Sequence, residues 1–360
     1  MPIRRLQISG VRNLQPLNLN FSPSVNFIFG QNGSGKSSLL ESIHLQATGK
    51  SFRHHQIKPV IQQGKDECIL FSEVEDSAFG ITKIGSQRSL KGEKALKING
   101  QNVASQSEAS KLLPVQIIEP NTFKLLSGSP QERRQFIDWG VFHVEQSFLG
   151  EWKNLKKQLQ QRNAVLKKGE EQWLDVWSKG FIESALKINQ LRIDYLTKFK
   201  PYFEQSLAKL DPELKVELNY YPGWERKSEL IDVLIKQKER DLQLGYTQSG
   251  PQRAELRIKV NGVNAADMLS RGQQKSVVAA LKIAQGGLLK AETGRNTIYL
   301  VDDLASELDE SHRLAFCHLL EELGSQVFIT SIESDSVSSS WNPVNSKMFH
   351  VEHGQITEQK

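Results

Sequence analysis

Cysteine is nearly absent: 360 residues hold two, Cys68 and Cys317. They stand far apart and neither belongs to a C-x-x-C pair, which excludes zinc hooks and dithiol redox motifs and leaves both as small core residues. No apolar run approaches the roughly 20 residues that would span a bilayer. The opening MPIRRLQISG is basic for two residues and then alternates, with no apolar core and no small-residue cleavage site. It is not read as a signal peptide, and the cytoplasm is the expected compartment. Internal repeats and low-complexity tracts are missing, and residues 336–340 read as a plain polar loop. Nor is there a large charge of one sign. The net +5 divides into +5 for residues 1–120 (14 basic, 9 acidic), +3 for 121–250 (21 and 18) and −3 for 251–360 (11 and 14). Basic surface therefore belongs to the first two thirds, which suits a phosphate-backbone partner such as DNA but is also common on proteins that bind no nucleic acid.

What is present is organised around residues 30–37, GQNGSGKS, which fit Gly-x-x-x-x-Gly-Lys-Ser without a gap. An apolar strand, Val25-Asn26-Phe27-Ile28-Phe29, runs into this stretch, and Ser38-Leu39-Leu40-Glu41 carries on as a helix. Strand, glycine turn, helix is the context in which the pattern has a physical meaning. Gly30, Gln31, Asn32, Gly33, Ser34, Gly35 and Ser38 are the expected cradle, since glycines let successive N–H groups turn inward around a phosphate at the positive end of a new helix. Lys36 adds a mobile charge for the β- and γ-oxygens, and Ser37 is the expected Mg²⁺ ligand. A glycine-rich turn that merely starts a helix is the bland alternative.

Residues 3–10 and 17–21 alternate as a hairpin ahead of this loop. Residues 68–103 alternate again, with Asn99-Gly100 as a two-residue hairpin turn, and residues 114–120 read as a buried strand. The cations of Lys50-Ser51-Phe52-Arg53-His54-His55 face phosphates on one reading and form an exposed polar loop on the other. Beyond Ser127-Gly128-Ser129-Pro130 the composition changes to Glu, Lys, Gln and Leu with helical spacing, and Ser129 is the expected cap with Pro130 in the first turn. Arg133 and Arg134 read as exposed helix charges, with a DNA or dimer contact as the functional alternative. Strand character returns at 215–220 and after Gly250-Pro251, with a second hairpin about Asn261-Gly262. The expected division is a nucleotide-binding core at 1–125, an inserted, mainly helical domain at 126–245, and a second core segment at 246–360.

Two further stretches complete the site. Leu269-Ser270-Arg271-Gly272-Gln273 precedes a long apolar helix, so the Ser270 hydroxyl and the N–H groups of Gly272 and Gln273 would aim at one anion; an ordinary serine cap is the competing reading. Thr297-Ile298-Tyr299-Leu300-Val301-Asp302-Asp303 reads as a buried strand with two carboxylates at its carboxyl end, where parallel sheets place ligands. Asp302 would hold Mg²⁺ through water and Asp303 would orient or deprotonate an attacking water, making Lys36, Asp302 and Asp303 the catalytic candidates and Ser37 and Asp302 the metal candidates. A solvated turn after a strand is the alternative.

The order GQNGSGKS, LSRGQ, IYLVDD, ASELD resembles the ABC-type ATPases. Together with Val11-Arg12-Asn13, GSPQERRQFIDWGVFH at 128–143 and SGPQRAEL at 249–256, it is similar to the RecF family of DNA-repair ATPases over nearly the whole chain. That resemblance implies an α/β fold: an ABC-type ATPase head, a mixed sheet with a phosphate-loop core and an antiparallel flank, carrying the helical insertion. It implies ATP and Mg²⁺ as cofactors and a homodimer formed on ATP, with Ser270 of one copy capping the nucleotide of the other and Asp309 at the seam. Gln116 is similar in position to the glutamine that senses Mg²⁺ and the γ-phosphate, a bare strand glutamine being the other reading. It also implies binding to DNA at single-strand gaps and junctions, work with RecR and RecO in loading recombinase, and weak DNA-dependent ATP hydrolysis. Ser331 in place of the switch histidine, and Asp303 where many relatives carry Glu, point to slow turnover. The energy subunit of a membrane transporter is the alternative, although Arg271 replaces the glycine of the transporter signature.

Overall fold

The computed structural model describes residues 2–76, 80–119, 124–303, 310–333, 341 and 346–359. It forms two compact units, Met1–Thr122 with Leu289–Lys360, and Phe123–Leu288.

The first unit holds two six-stranded sheets. One is antiparallel throughout, in the order Leu17–Asn20, Ile3–Ser9, Glu67–Asp76, Gly80–Ser89, Lys94–Ile98, Gln101–Asn102. Asn99 and Gly100 both take positive φ, 49° and 83°, which is why the last hairpin closes with two residues. The other sheet runs Gln355–Gln359, Ser346–Glu352, Val25–Phe29, Gln326–Ser331, Ile298–Val301, Val115–Ile118, parallel except for its first strand. Its central strands are covered on both faces, so Ile298–Val301 and Gln326–Ser331 are buried at every position and show no alternation. One apolar cluster joins both sheets to the helix Lys36–Thr48, with Phe21 set edge-on to Phe328 and Phe349 at 4.9 and 5.3 Å. The parallel strands bring the residues after Phe29, Val301 and Ser331 to one edge, and that edge carries the site.

The second unit is mostly helical. Phe148–Lys168 and Glu171–Leu210 pair through Gly169, whose φ of 69° ends the first helix in the left-handed conformation. Tyr195, Phe199 and Phe203 stack at fourfold spacing, with centroids 5.7 and 6.2 Å apart. Ser129 occupies the cap position before the helix Pro130–Val144, but its side chain makes no capping bond. A three-stranded antiparallel sheet joins Val263–Asn264, Glu255–Val260 and Glu217–Tyr221. This pairing explains a difference from the sequence-based division: the chain returns to sheet after Gly250-Pro251, but to the sheet of Glu217–Tyr221, so residues 246–288 group with the helices.

Arg133 and Arg134 are not the free surface charges expected of them. Arg133 grips Glu255 with two bonds of 2.7 and 3.0 Å and donates to the carbonyls of Leu125, Leu126 and Gly128. Arg134 donates to the Ala254 carbonyl at 2.9 Å. Both fasten the helix to the strand Glu255–Val260. No helix among the described residues is long and apolar enough to cross a membrane.

Candidate nucleotide-binding cleft

The loop after Phe29 is shaped by positions that accept no side chain. Gly30 has φ of 151°, and a Cβ there would lie 2.2 Å from the Val351 carbonyl oxygen; Gly35, at φ 125°, would drive a Cβ to 2.9 Å from Leu14. The helix begins at Lys36 with Gly35 as its cap residue, whose carbonyl accepts the Ser38 N–H at 3.0 Å, so the N-terminal end of the helix, where N–H groups are short of intrahelical partners, follows directly on the loop. Asn13 holds both flanks: its Nδ2 donates to the Gly33 carbonyl at 3.0 Å and its Oδ1 accepts from the Ser38 hydroxyl at 3.2 Å. The Gly354 N–H donates to the Ser34 carbonyl at 2.9 Å from the turn of the last hairpin. Gln31, Asn32 and Gly33 are exposed at the rim.

Lys36 is 9% exposed and its Nζ donates to the carbonyls of Gly30 and Gln31, at 2.6 and 3.1 Å. Burial holds its pKa below the usual lysine value, with Asp302 and Asp303 opposing the shift. The Ser37 hydroxyl donates to Asp302 Oδ1 at 2.9 Å, and Thr330 Oγ1 donates to the same oxygen at 2.7 Å. Thr330 in turn accepts the Asp303 N–H at 2.9 Å, fixing a residue whose φ of 57° is unusual outside glycine. These groups line a cleft of about 710 Å³ together with Arg12 and Arg53. Arg12 is braced by a bidentate pair with Glu41, both bonds 2.8 Å, and Glu41 is 0% exposed.

The donor set fits a magnesium nucleotide. Mg²⁺ takes few protein ligands and completes its shell with phosphate and water oxygens. The Ser37–Asp302 oxygen pair offers ligands of that kind, and the described residues contain no cluster of three or more His, Cys, Asp or Glu that would serve a fully protein-bound metal. The loop amides and Lys36 suit phosphate oxygens.

The remaining expected residues are placed by their own elements. Gln116 is 5% exposed within its strand, in register with Tyr299, and does not line the cleft. Ser270 belongs to the second unit, where it forms a capping box: its Oγ accepts the Gln273 N–H at 3.3 Å, and Gln273 Oε1 accepts the Ser270 N–H at 3.1 Å. Ser270 and Gly272 are both exposed. Asp309 lies outside the described residues, as do residues 305–308 and 336–340. Ser331 is buried and its hydroxyl donates to the Glu333 carbonyl at 2.7 Å. Two groups escaped sequence reasoning, the Asn13 brace and the Thr330 bridge between the two aspartates.

The family model described as RecF/RecN/SMC N terminal domain matches residues 2–357. The DNA replication and repair protein RecF of Pseudomonas putida (strain GB-1) is 46% identical over 366 residues, covering 99% of this chain and 98% of that protein. The chain belongs to the RecF family. RecF of Stutzerimonas stutzeri (strain A1501) is 48% identical over the same shares of each chain. A solved structure described as the recombination mediator protein RecF-ATP in the RecFOR pathway superposes with a TM-score of 0.89 at 26% identity, covering 100% of this chain and 98% of that one. An Smc head bound to the C-winged helix domain of ScpA, at 16% identity and a TM-score of 0.62, shares the fold. The RecF-family assignment sets aside the transporter alternative, and the head is an ABC/SMC-like ATPase fold with mixed sheet and helices.

Proposed function

We propose that this RecF-family protein is an ATP-operated DNA clamp in recombinational repair and replication restart. The observation that carries the reading is the Ser37–Asp302–Thr330 cluster facing a phosphate loop across one cleft, with Asp303 tied to it. Gly30 through Ser38 bind the phosphates, Lys36 leaves its carbonyl partners for the β- and γ-oxygens, and Ser37 with Asp302 hold Mg²⁺. The bound metal supplies charge neutralisation at the transferring phosphoryl group. Asp303 orients the attacking water. Its short side chain, its fixed left-handed backbone and a position 331 whose hydroxyl is engaged with the backbone support slow hydrolysis, so that ATP times a closed state.

Ser270, Gly272 and Gln273 stand at an exposed helix start, a surface suited to closing over the nucleotide of a second copy. Gln116 is the γ-phosphate sensor if the strand end rearranges on closure. DNA at single-strand gaps and duplex junctions is the substrate surface, with RecR and RecO as partners in loading recombinase. The domain roles follow: a nucleotide-binding core in two segments and a helical insertion. Sedimentation with and without ATP and a gapped duplex tests this. Wild type shifts to a dimer with ATP, Ser270→Arg remains monomeric, and Asp303→Asn binds ATP but stays dimeric longer. Equal dimerisation without ATP, or by Ser270→Arg, sinks the clamp.

A further inference from the structure

The second unit carries a charged, unfilled face. Strand Glu255–Val260 turns Leu256, Ile258 and Val260 inward and Glu255, Arg257 and Lys259 outward. The register sets Tyr221 opposite Glu255 and Asn219 opposite Arg257, with Asn264 beside Lys259. Tyr221, Glu255, Arg257, Lys259 and Asn264 line, with Arg253, a cleft of about 430 Å³. Its one carboxylate among the described lining residues, Glu255, is already neutralised by Arg133. Arg253, Arg257 and Lys259 have no carboxylate partner among the described residues. Glu217, across from Lys259 at the rim, accepts a long bond of 3.4 Å from Asn219 and forms no ion pair with Lys259.

Aromatic rings are interleaved with these cations. The Arg257 guanidinium lies 5.3 Å from the Tyr221 ring centroid and that of Arg253 lies 5.5 Å from the Tyr246 centroid. Cations alone would suit any polyanion, whereas guanidinium–ring pairs beside them suit bases as well as phosphates. Arg257 and Lys259 are two residues apart on one face, about 6.7 Å along the strand, a step comparable with that between successive phosphates of one extended chain. An acidic peptide would use the charges and leave the rings idle.

We infer that this face binds a single strand of nucleic acid, with phosphates on Arg257 and Lys259 and a base stacked on the Tyr221–Arg257 pair. The inference rests on the DNA-binding reading above and names the surface that reading leaves open. The test is binding of fluorescent oligo(dT) to the full chain with ATP, across a salt series. Arg257→Ala/Lys259→Ala loses about tenfold in affinity at ~0.1 M salt, and the slope of log affinity against log salt falls by about 1.4, two contacts at roughly 0.7 each. Tyr221→Ala loses several-fold and Tyr221→Phe does not. ATP affinity of every variant stays at the wild-type value. Unchanged slope and affinity in the double variant, while wild type binds, overturn this inference alone. Wild type that binds no DNA in any nucleotide state overturns the clamp reading and this surface together. Poly-glutamate of matched charge competing as well as oligo(dT) overturns the nucleic-acid assignment in favour of an acidic protein partner.

Discussion

Arg12 in the first unit and Arg162 and Arg192 in the second are used in opposite ways. In the nucleotide-binding unit, Arg12 is held by Glu41 but still reaches the cleft with 17% of its side chain exposed, and Arg53 lines the same opening. In the helical unit, Arg162 is 1% exposed and locked to Asp241 at 2.9 Å and to Thr247, while Arg192 takes Asp138 in a bidentate grip and the Pro251 carbonyl besides. Both arrangements neutralise a guanidinium, but only the first leaves it a face for a ligand. At these positions the first unit keeps its guanidinium reachable, whereas Arg162 and Arg192 of the second tie distant segments together. Burying a charge is costly unless it is paired and fully hydrogen-bonded, so the second use fixes one packing and tolerates little change.

That contrast is sharpest at Asp241. Asp241→Ala strands Arg162 inside the helical unit and costs about 3–5 kcal/mol in urea unfolding. Arg162→Met with Asp241→Leu recovers most of the loss, because an apolar pair removes both desolvated charges. A single variant no weaker than the double would show that the pair is dispensable. Glu41→Gln in the first unit costs less, about 1.5–3 kcal/mol, the worth of a charged hydrogen bond, since Arg12 can turn to water. Equal losses at Glu41 and Asp241 would erase the distinction between the units. The smallest effect is a proton. Burial lowers the pKa of Lys36, so between its folded pKa and 10.5 the unfolded chain binds a proton that the folded chain lacks. Stability of the free protein therefore rises with pH through that window, and Lys36→Met flattens the rise. Phosphate beside Lys36 restores the proton, so ATP binding at alkaline pH takes one up, which calorimetry in two buffers of different ionisation enthalpy measures.

The legibility of the fold follows the same divide. The strand–glycine loop–helix turn, the acid-bearing strand and the Ser270 cap were readable as elements because each is a contiguous stretch with a local signature. Asn13 was visible only as part of a family-like tripeptide, since its partner Gly33 lies 20 positions away and nothing local to Asn13 marks a loop brace. Thr330 looks like any β-branched strand residue until the parallel register sets it beside Asp302. Arg133 was misread for a related reason: an arginine on a first helical turn reads as solvated, and its Glu255 partner comes 122 residues later. The end of the helical insertion escaped in the same way, because pairing of Glu217–Tyr221 with Glu255–Val260 is invisible to composition.

The last hairpin has a consequence for how the molecule is made. Strand Ser346–Glu352 pairs with Val25–Phe29, and Gly354 donates to Ser34 while accepting from the Gln15 N–H. The loop that holds Ser34 is thus completed by residues more than three hundred positions later in the chain. A growing chain on the ribosome holds that loop without its brace until Gly354 has been made.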